Sequence, residues 1–378
     1  MTSRIRNMSL ALIAISTTIP AHFAYSQPDL RGTERVYAMT NDATKNEILA
    51  FALGRDGTFR STGSFATGGR GSGGTTDPLQ SQGSLTISQD HSLLFAANAG
   101  SGTVSSFRIV GDRLVLADQE PTEGAEPVAV AQHGHFVYVL NEAGDGGITV
   151  FSVDEVGHLN PIPNSTKLLS NTGLGGASIA VSPDGTLLAV VERAADNIGI
   201  FHILPNGTLS AITTTADPNP GGFSAIFSTN GQVLVSETGP GGEPNSSTIS
   251  SFAVDGNGTV TPISNAVPTD GAANCWLAIT PNGKFVYTSN SATSNISGFT
   301  VAQNGALTPI GSVIVGANPA GSTNLDIAVS ADGNFLYSLN SSAGTITAWT
   351  INSDGTLKEV DSIPGVPGTS GVNGLAAF

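Results

Sequence analysis

A unit of about fifty residues recurs along this chain, and each copy places a short polar turn between two apolar runs. The clearest of these turns are Asp184-Gly185, Asn282-Gly283 and Asp332-Gly333. Glycine and asparagine tolerate positive φ, so the dipeptides predict β-hairpin turns between strands. A repeat of this length indicates that the chain is built from similar structural units packed side by side.

Two further positions mark every copy of the unit. An aromatic residue lies in the third predicted strand of each copy, at Phe51, Phe107, Phe151, Phe201, Phe252, Phe299 and Trp349. A polar residue ends the second predicted strand, at Asn41, Asn98, Asn141, Glu192, Glu237, Asn290 and Asn340. Short strands between frequent turns, without any sustained helical period, predict an all-β fold.

The two ends of the repeat complete each other. The first copy begins at its second strand, residues 35–41, whereas residues 374–378 have the pattern of an isolated first strand. A ring closed by these two segments leaves no open sheet edge. The sequence therefore predicts a seven-bladed β-propeller of four-stranded blades, with the C-terminal strand joining the N-terminal blade. We expect a single propeller domain over residues 27–378.

Residues 1–26 have the pattern of a secretory signal peptide. Arg4 and Arg6 precede an apolar stretch at residues 8–19, and Ala24 and Ser26 form a small-residue cleavage pattern. The apolar stretch is too short to span a bilayer, and no later run is long enough. We expect a secreted or periplasmic protein with no membrane insertion.

The balance of charge argues against two classes of partner. The chain has 29 acidic and 14 basic residues, for a net charge of −15. An acidic surface repels nucleic acid and anionic membrane, so neither is expected to bind. Cys275 is the only cysteine, which rules out a disulfide framework. We expect a monomer.

The propeller geometry sorts the ionisable residues between two faces. The loops between strands two and three, and those joining successive blades, meet at one mouth. The histidines of the predicted propeller all map away from this mouth: His91, His133, His135, His158 and His202. The mouth carboxylates are Asp42, Asp77, Glu123, Glu126, Glu142, Asp145, Glu192, Asp196, Asp217, Glu237, Glu243 and Asp270. Such oxygens could hold a calcium-like cation, although no cofactor is required.

Glu142 and Arg193 stand out because they begin equivalent loops in adjacent predicted blades. A carboxylate and a guanidinium placed together can direct a water and polarise a carbonyl group. Glu237, which ends the second predicted strand of the next copy, is a candidate third member. The alternative is a surface ion pair between neighbouring blades, with no role in chemistry.

The segments that contain Glu142 and Arg193 resemble a known family. The first runs from Phe136 to Ala143, and the second from Ala177 to Arg193. They are similar to consecutive blades of the seven-bladed lactonase family that includes bacterial 6-phosphogluconolactonase and fungal carboxymuconate cyclase. The resemblance implies lactone hydrolysis, with Glu142 and Arg193 matching the family's Glu and Arg. It also implies that the ligand is a small-molecule lactone or a carbohydrate-derived molecule. The family's Gly-Pro-Arg-His is replaced here, so that Glu126 and Pro127 stand where its Arg and His would be.

Two hypotheses follow for the function. The first is an exported lactonase-like hydrolase that opens a neutral or cationic small-molecule lactone at the propeller mouth. In it, Glu142 activates water, Arg193 stabilises the oxyanion and Glu237 assists. The alternative is a non-catalytic extracytoplasmic propeller that binds a ligand or a protein partner.

Overall fold

A computed structural model describes residues 34–378, apart from residues 55–56, 75–76, 174, 242 and 369–370. The predicted signal peptide, residues 1–26, lies outside the described residues. Gly32–Phe378 forms one compact unit, while the predicted domain start at residue 27 stays a prediction. Within the described residues, no helix has the length and hydropathy needed to cross a bilayer.

The described residues form seven antiparallel sheets of four strands, which confirms the predicted propeller. Each sheet is one blade, named here in chain order from its inner strand outwards. Blade one contains β28 (Asn373–Ala377), β1 (Glu34–Met39), β2 (Glu47–Leu53) and β3 (Phe59–Ala66). Blade two contains β4 (Leu85–Ile87), β5 (Leu93–Asn98), β6 (Thr103–Val110) and β7 (Arg113–Pro121). Blade three contains β8 (Ala125–His133), β9 (Phe136–Ala143), β10 (Gly147–Val153) and β11 (Leu159–Pro161).

The remaining four blades follow the same order. Blade four contains β12 (Gly176–Val181), β13 (Leu187–Glu192), β14 (Asn197–His202) and β15 (Thr213–Ala216). Blade five contains β16 (Gly222–Phe227), β17 (Val233–Glu237), β18 (Thr248–Val254) and β19 (Val260–Pro268). Blade six contains β20 (Asn274–Ile279), β21 (Phe285–Asn290), β22 (Asn295–Val301) and β23 (Leu307–Ala317). Blade seven contains β24 (Asn324–Val329), β25 (Phe335–Asn340), β26 (Thr345–Ile351) and β27 (Leu357–Pro364).

The ring closes where the sequence predicts. Strand β28 pairs antiparallel with β1, placing Leu375 opposite Ala38 and Ala376 opposite Tyr37. Each inner strand packs against the inner strand of the next blade all the way around the ring. Closure pairs the inner edge of β1, which would otherwise be open to other chains.

The core lies between the blades, and the repeated anchors build it. The aromatic anchor of the third strand is fully buried in blades one to six, and Trp349 of blade seven is buried too. In blades two to seven, the side chain of the polar anchor is hydrogen-bonded to the third strand, whereas Asn41 of blade one bonds to Ser72 and Gly371. In blade two, Asn98 Nδ2 donates to Thr103 Oγ1 at 3.1 Å and to Ser105 Oγ at 2.8 Å. These repeated anchor residues therefore have a structural role in the blades.

One connection departs from the regular pattern and crosses the centre of the ring. The 56 residues from Phe51 to Phe107 are the longest interval between successive aromatic anchors. The extra residues precede β4, and residues 77–84, here called the channel segment, reach the inner strands of distant blades. The Ser81 carbonyl accepts a hydrogen bond from Trp276 Nε1 at 2.9 Å. The Gln82 amide N–H donates to the Ala177 carbonyl at 2.9 Å.

The Gln82 side chain both donates to and accepts from the backbone of β20, as a neighbouring strand would. Its Nε2 donates to the Leu277 carbonyl at 2.6 Å, and its Oε1 accepts from the Leu277 amide at 3.1 Å. Ala177 and Leu277 belong to the inner strands of blades four and six. The inner strands therefore enclose this segment, which lies at the centre of the ring.

Candidate functional site

Glu142 and Arg193 form an ion pair at the mouth. Glu142 lies near the end of β9, and Arg193 begins the short 3-10 turn Arg193–Ala195 that follows β13. Arg193 Nη2 lies 2.6 Å from Glu142 Oε1, and each side chain is 22% exposed. The pair predicted from the repeat register is thus formed, and both groups remain open to a small molecule.

The local backbone holds Arg193 in this position. The Arg193 amide donates to the Gly175 carbonyl at 3.2 Å. Gly175 has a φ of +61°, and a Cβ there would lie 3.2 Å from Arg193 Nη2 and 3.4 Å from Glu142 Oε1. Glycine is needed because any side chain at this position would press on the ion pair.

The Arg193 guanidinium packs against a pair of aromatic side chains, Phe223 and Trp276. Arg193 Cζ lies 5.8 Å from the centroid of the Phe223 ring, within the range of a cation–π contact. Phe223 in turn packs edge-on against Trp276, with ring centroids 5.3 Å apart. Trp276 is the residue that donates to Ser81. This aromatic pair therefore connects the site to the channel segment.

The channel segment itself contributes two polar side chains. Gln80 Oε1 accepts a hydrogen bond from Arg193 Nη1. Asp77 Oδ1 accepts from Asn373 Nδ2 at 3.1 Å, and its charge interacts with Arg193 and Glu142. Sequence reasoning placed Asp77 among the mouth carboxylates but missed Gln80. The long interval between Phe51 and Phe107 was the available signal.

Burial shifts the acidity of both carboxyl groups. It raises the pKa of Asp77 to about 7, while the Arg193 charge acts in the opposite direction. Burial also raises the pKa of Glu142, and Arg193 again opposes the shift. A carboxyl group with a pKa of about 7, such as that of Asp77, can exchange a proton with a bound molecule near neutral pH.

Glu237 lies in a separate group of side chains. It is fully buried, and its Oε1 accepts from Asn219 Nδ2 at 3.2 Å while Thr248 Oγ1 donates to Oε2. Its charge raises the pKa of Asp217 further, beyond the effect of burial. In the described chain, no hydrogen bond or ion pair joins Glu237 to Glu142 or Arg193.

Other candidates from the sequence take structural positions. Burial raises the pKa of the Cys275 thiol well above its usual value, so it is protonated and a poor nucleophile. His133 lies against the turn at Gly185, on the face opposite the mouth. Among the described residues, no three His, Cys, Asp or Glu side chains are grouped to hold a metal ion. A calcium-like cation therefore stays a prediction without a ligand set.

The buried carboxyl groups predict that stability falls as pH rises from 5 to 8. Burial raises the pKa of Glu34, Asp77, Asp217 and Asp326 to about 7 in each case. Between their unfolded values near 4 and this folded value, the folded chain binds more protons than the unfolded chain. Their contribution is therefore present below about pH 4 and lost as pH rises through 7.

Calorimetry at constant ionic strength between pH 5 and 8 would measure this trend as a decrease in Tm. Asp326 is 2% exposed, so the Asp326→Asn variant should show a shallower decline than the wild type. A Tm that increases with pH over this interval would contradict the assignment.

Comparison with known proteins places the chain in a family. The model of the family described as Lactonase, 7-bladed beta-propeller matches residues 20–172, 132–237 and 222–324. The chain belongs to this family. A search of curated proteins found no match.

Solved structures of this architecture resemble the chain over most of its length. A putative 6-phosphogluconolactonase from Bacteroides uniformis ATCC 8492 is 22% identical with a TM-score of 0.68, covering 90% of this chain and 99% of its own. One from Bacteroides fragilis NCTC 9343 is 19% identical with a TM-score of 0.66, covering 93% and 99%. The periplasmic gluconolactonase PpgL of Pseudomonas aeruginosa is 19% identical with a TM-score of 0.67, covering 92% and 99%. At such identities, the similarity of this lactonase-family chain to them extends to the fold alone.

Proposed function

We propose that this lactonase-family chain is an exported hydrolase that opens the ring of a small-molecule lactone at the propeller mouth. The observation that carries the proposal is the Glu142–Arg193 ion pair, with atoms 2.6 Å apart and both side chains partly exposed. Hydrolysis of a lactone needs a base for the attacking water and a cation for the developing oxyanion. The pair supplies one of each.

Each residue has a definite role in this proposal. Glu142 accepts a proton from the water that attacks the lactone carbonyl carbon. Arg193 donates hydrogen bonds to the carbonyl oxygen as negative charge develops there. The buried Glu237 contacts the β18 residue Thr248 and not the ligand, so its assistance is to hold the blade-five loop.

The charges at the mouth select the substrate class. The charge of Glu126 adds to burial in raising the pKa of Glu142, so these two carboxyl groups lie close enough to repel each other. A phosphorylated or carboxylated lactone would be repelled by these groups, whereas a neutral or cationic lactone would not. The proposed substrate is therefore an uncharged or cationic lactone, including sugar-derived ones.

A panel of lactones tests the proposal. Purified protein would be assayed by pH-stat with an uncharged aldonolactone, a cationic amino-lactone and a phosphorylated aldonolactone. We expect kcat/KM for the first two to exceed that for the third by at least about tenfold, because of the acidic mouth. Treatment with a chelator should leave the rates unchanged if no metal is required.

The same panel discriminates the alternative function. A non-catalytic propeller would hydrolyse none of the lactones, yet a ligand bound at the mouth would raise its Tm. The alternative is favoured by one feature, since the two terminal nitrogens of Arg193 already donate to Gln80 and Glu142. Turnover that depends on the pair would exclude it.

A further inference from the structure

Asp77 belongs to the channel segment, whose Gln80 accepts a hydrogen bond from Arg193, and its carboxyl group interacts electrostatically with both members of the ion pair. Both Asp77 and Gln80 have positive φ, at +38° and +44°, which non-glycine residues seldom adopt. Such backbone persists only where the surrounding structure enforces it. Here the enforcement comes from the hydrogen bonds of Ser81 and Gln82 to blades four and six.

The surroundings of Asp77 differ from those of Glu142. Glu142 has a direct ion pair with Arg193, whereas the one side-chain hydrogen bond found for Asp77 in the described chain comes from the neutral amide of Asn373. The charged or titratable groups near Asp77 are Arg193, Glu142, Asp326 and Cys275. Asp77 lacks the direct ion pair that favours the ionised form of Glu142, and its burial, together with the charge of Glu142, favours the protonated form of its own carboxyl group.

We propose that Asp77 is the general acid of the site, donating its proton to the ring oxygen that leaves when the lactone opens. This inference rests on the proposed lactonase function and adds a second catalytic carboxyl group to it. The raised pKa of about 7 agrees with this role, because a protonated carboxyl group is then available at neutral pH.

Glu142, Arg193 and Asp77 together account for every proton and electron pair that moves in the reaction. Water gives a proton to Glu142 as its oxygen bonds to the carbonyl carbon, and the carbonyl electrons move onto the oxygen beside Arg193. The carbonyl bond then re-forms, and the bond from the carbonyl carbon to the ring oxygen breaks. The ring oxygen takes the proton of Asp77, which gives the hydroxy acid. Transfer of the proton from Glu142 to Asp77 restores the starting state.

A general acid has a signature that a structural residue lacks, because it matters only when the leaving group is basic. The Asp77→Asn variant would be assayed with two lactones that differ in this respect. An aldonolactone releases an alkoxide, which needs a proton, whereas dihydrocoumarin releases a phenolate, with a pKa of about 10 for the phenol. The amide retains the shape of the carboxyl group and can still accept from Asn373.

We expect Asp77→Asn to lower kcat/KM for the aldonolactone by about a hundredfold or more, and for dihydrocoumarin by less than about fivefold. The decline of kcat at high pH in the wild type should also disappear. Asp270→Asn, which removes an exposed mouth carboxylate, is the charge-matched control and should retain wild-type rates. Asp77→Ser serves as a second variant if the first has a lowered Tm.

The outcomes separate this inference from the proposed function. Suppose that the wild type opens lactones and that Asp77→Asn lowers kcat/KM equally for both substrates, or for neither. The general-acid role is then wrong, while the lactonase function stands. If the wild type opens no lactone, both are wrong. Glu142→Gln should lower kcat/KM for both substrates, because attack by water needs the base whatever the leaving group.

Discussion

The Glu142→Gln variant is expected to lower kcat/KM for lactone opening by about a hundredfold to ten-thousandfold, the usual contribution of a general base. The amide oxygen can still accept the hydrogen bond from Arg193 Nη2, so the geometry of the pair is retained. What the substitution removes is the negative charge and the ability to take a proton from water. Initial rates with the best lactone of the panel would measure the effect.

Asp145→Asn provides a matched control for this variant. Asp145 lies three residues after Glu142 in the same loop, and it is exposed. Its replacement removes the same charge from the mouth without touching the ion pair. A fall of similar size in both variants would indicate a general effect of mouth charge and would contradict the role of Glu142 as base.

Removing the C-terminal strand is expected to destabilise the propeller by at least about 5 kcal/mol. Truncation before Asn373 deletes β28, the inner strand of blade one, and opens the edge of β1. It removes the buried Leu375, and it leaves Asp326 Oδ2 without the amide of Leu375, which donates to it at 2.8 Å. Urea unfolding followed by tryptophan fluorescence would measure the loss.

A circular permutant is the control for this truncation. Phe378 already exchanges backbone hydrogen bonds with Arg35, so residue 378 can be linked to Glu34 and new termini placed between the exposed residues Ser353 and Asp354. The permutant retains every blade and should keep most of the stability. If the truncated chain matches the wild type in both midpoint and slope, ring closure does not stabilise this fold.

The architecture was predictable because the repeat constrains it at every level. The aromatic anchors and the Asp-Gly or Asn-Gly turns recur in register, so one local pattern sets seven similar sheets. The incomplete first and last copies implied closure, and the pairing of β28 with β1 confirms it. Local turn chemistry and the buried aromatic pattern agree throughout, which is the condition for a sequence to specify its fold.

The candidate site was predictable only where it follows the repeat. Glu142 and Arg193 are at equivalent positions in adjacent blades, so the register alone brings them together. Gln80 was not predictable in this way, because it belongs to a connection that has no counterpart in the other copies. In this connection Gln80 contacts Arg193 and Ser81 contacts Trp276, so each contact joins residues more than a hundred positions apart. Only tertiary packing determines them.

Glu237 shows the limit of equivalence by position. It ends β17 as Glu192 ends β13, and both side chains take the place of an asparagine that ties strand two to strand three. Thr248 Oγ1 donates to Glu237, and Asn197 Nδ2 donates to Glu192 at 3.3 Å. A carboxylate that differs from the consensus of the repeat can therefore still serve the scaffold.

The measurement that tests the catalytic role of the ion pair most directly is a double-mutant cycle on kcat/KM with the wild type, Glu142→Gln, Arg193→Ala and the double variant. Residues that act as one unit are strongly non-additive. We expect each single substitution to lower kcat/KM by about a hundredfold or more. The kcat/KM of the double variant should be no more than about threefold below that of the less active single variant. Single variants with wild-type kcat/KM would show that the pair is a structural ion pair between blades and that the reaction takes place elsewhere.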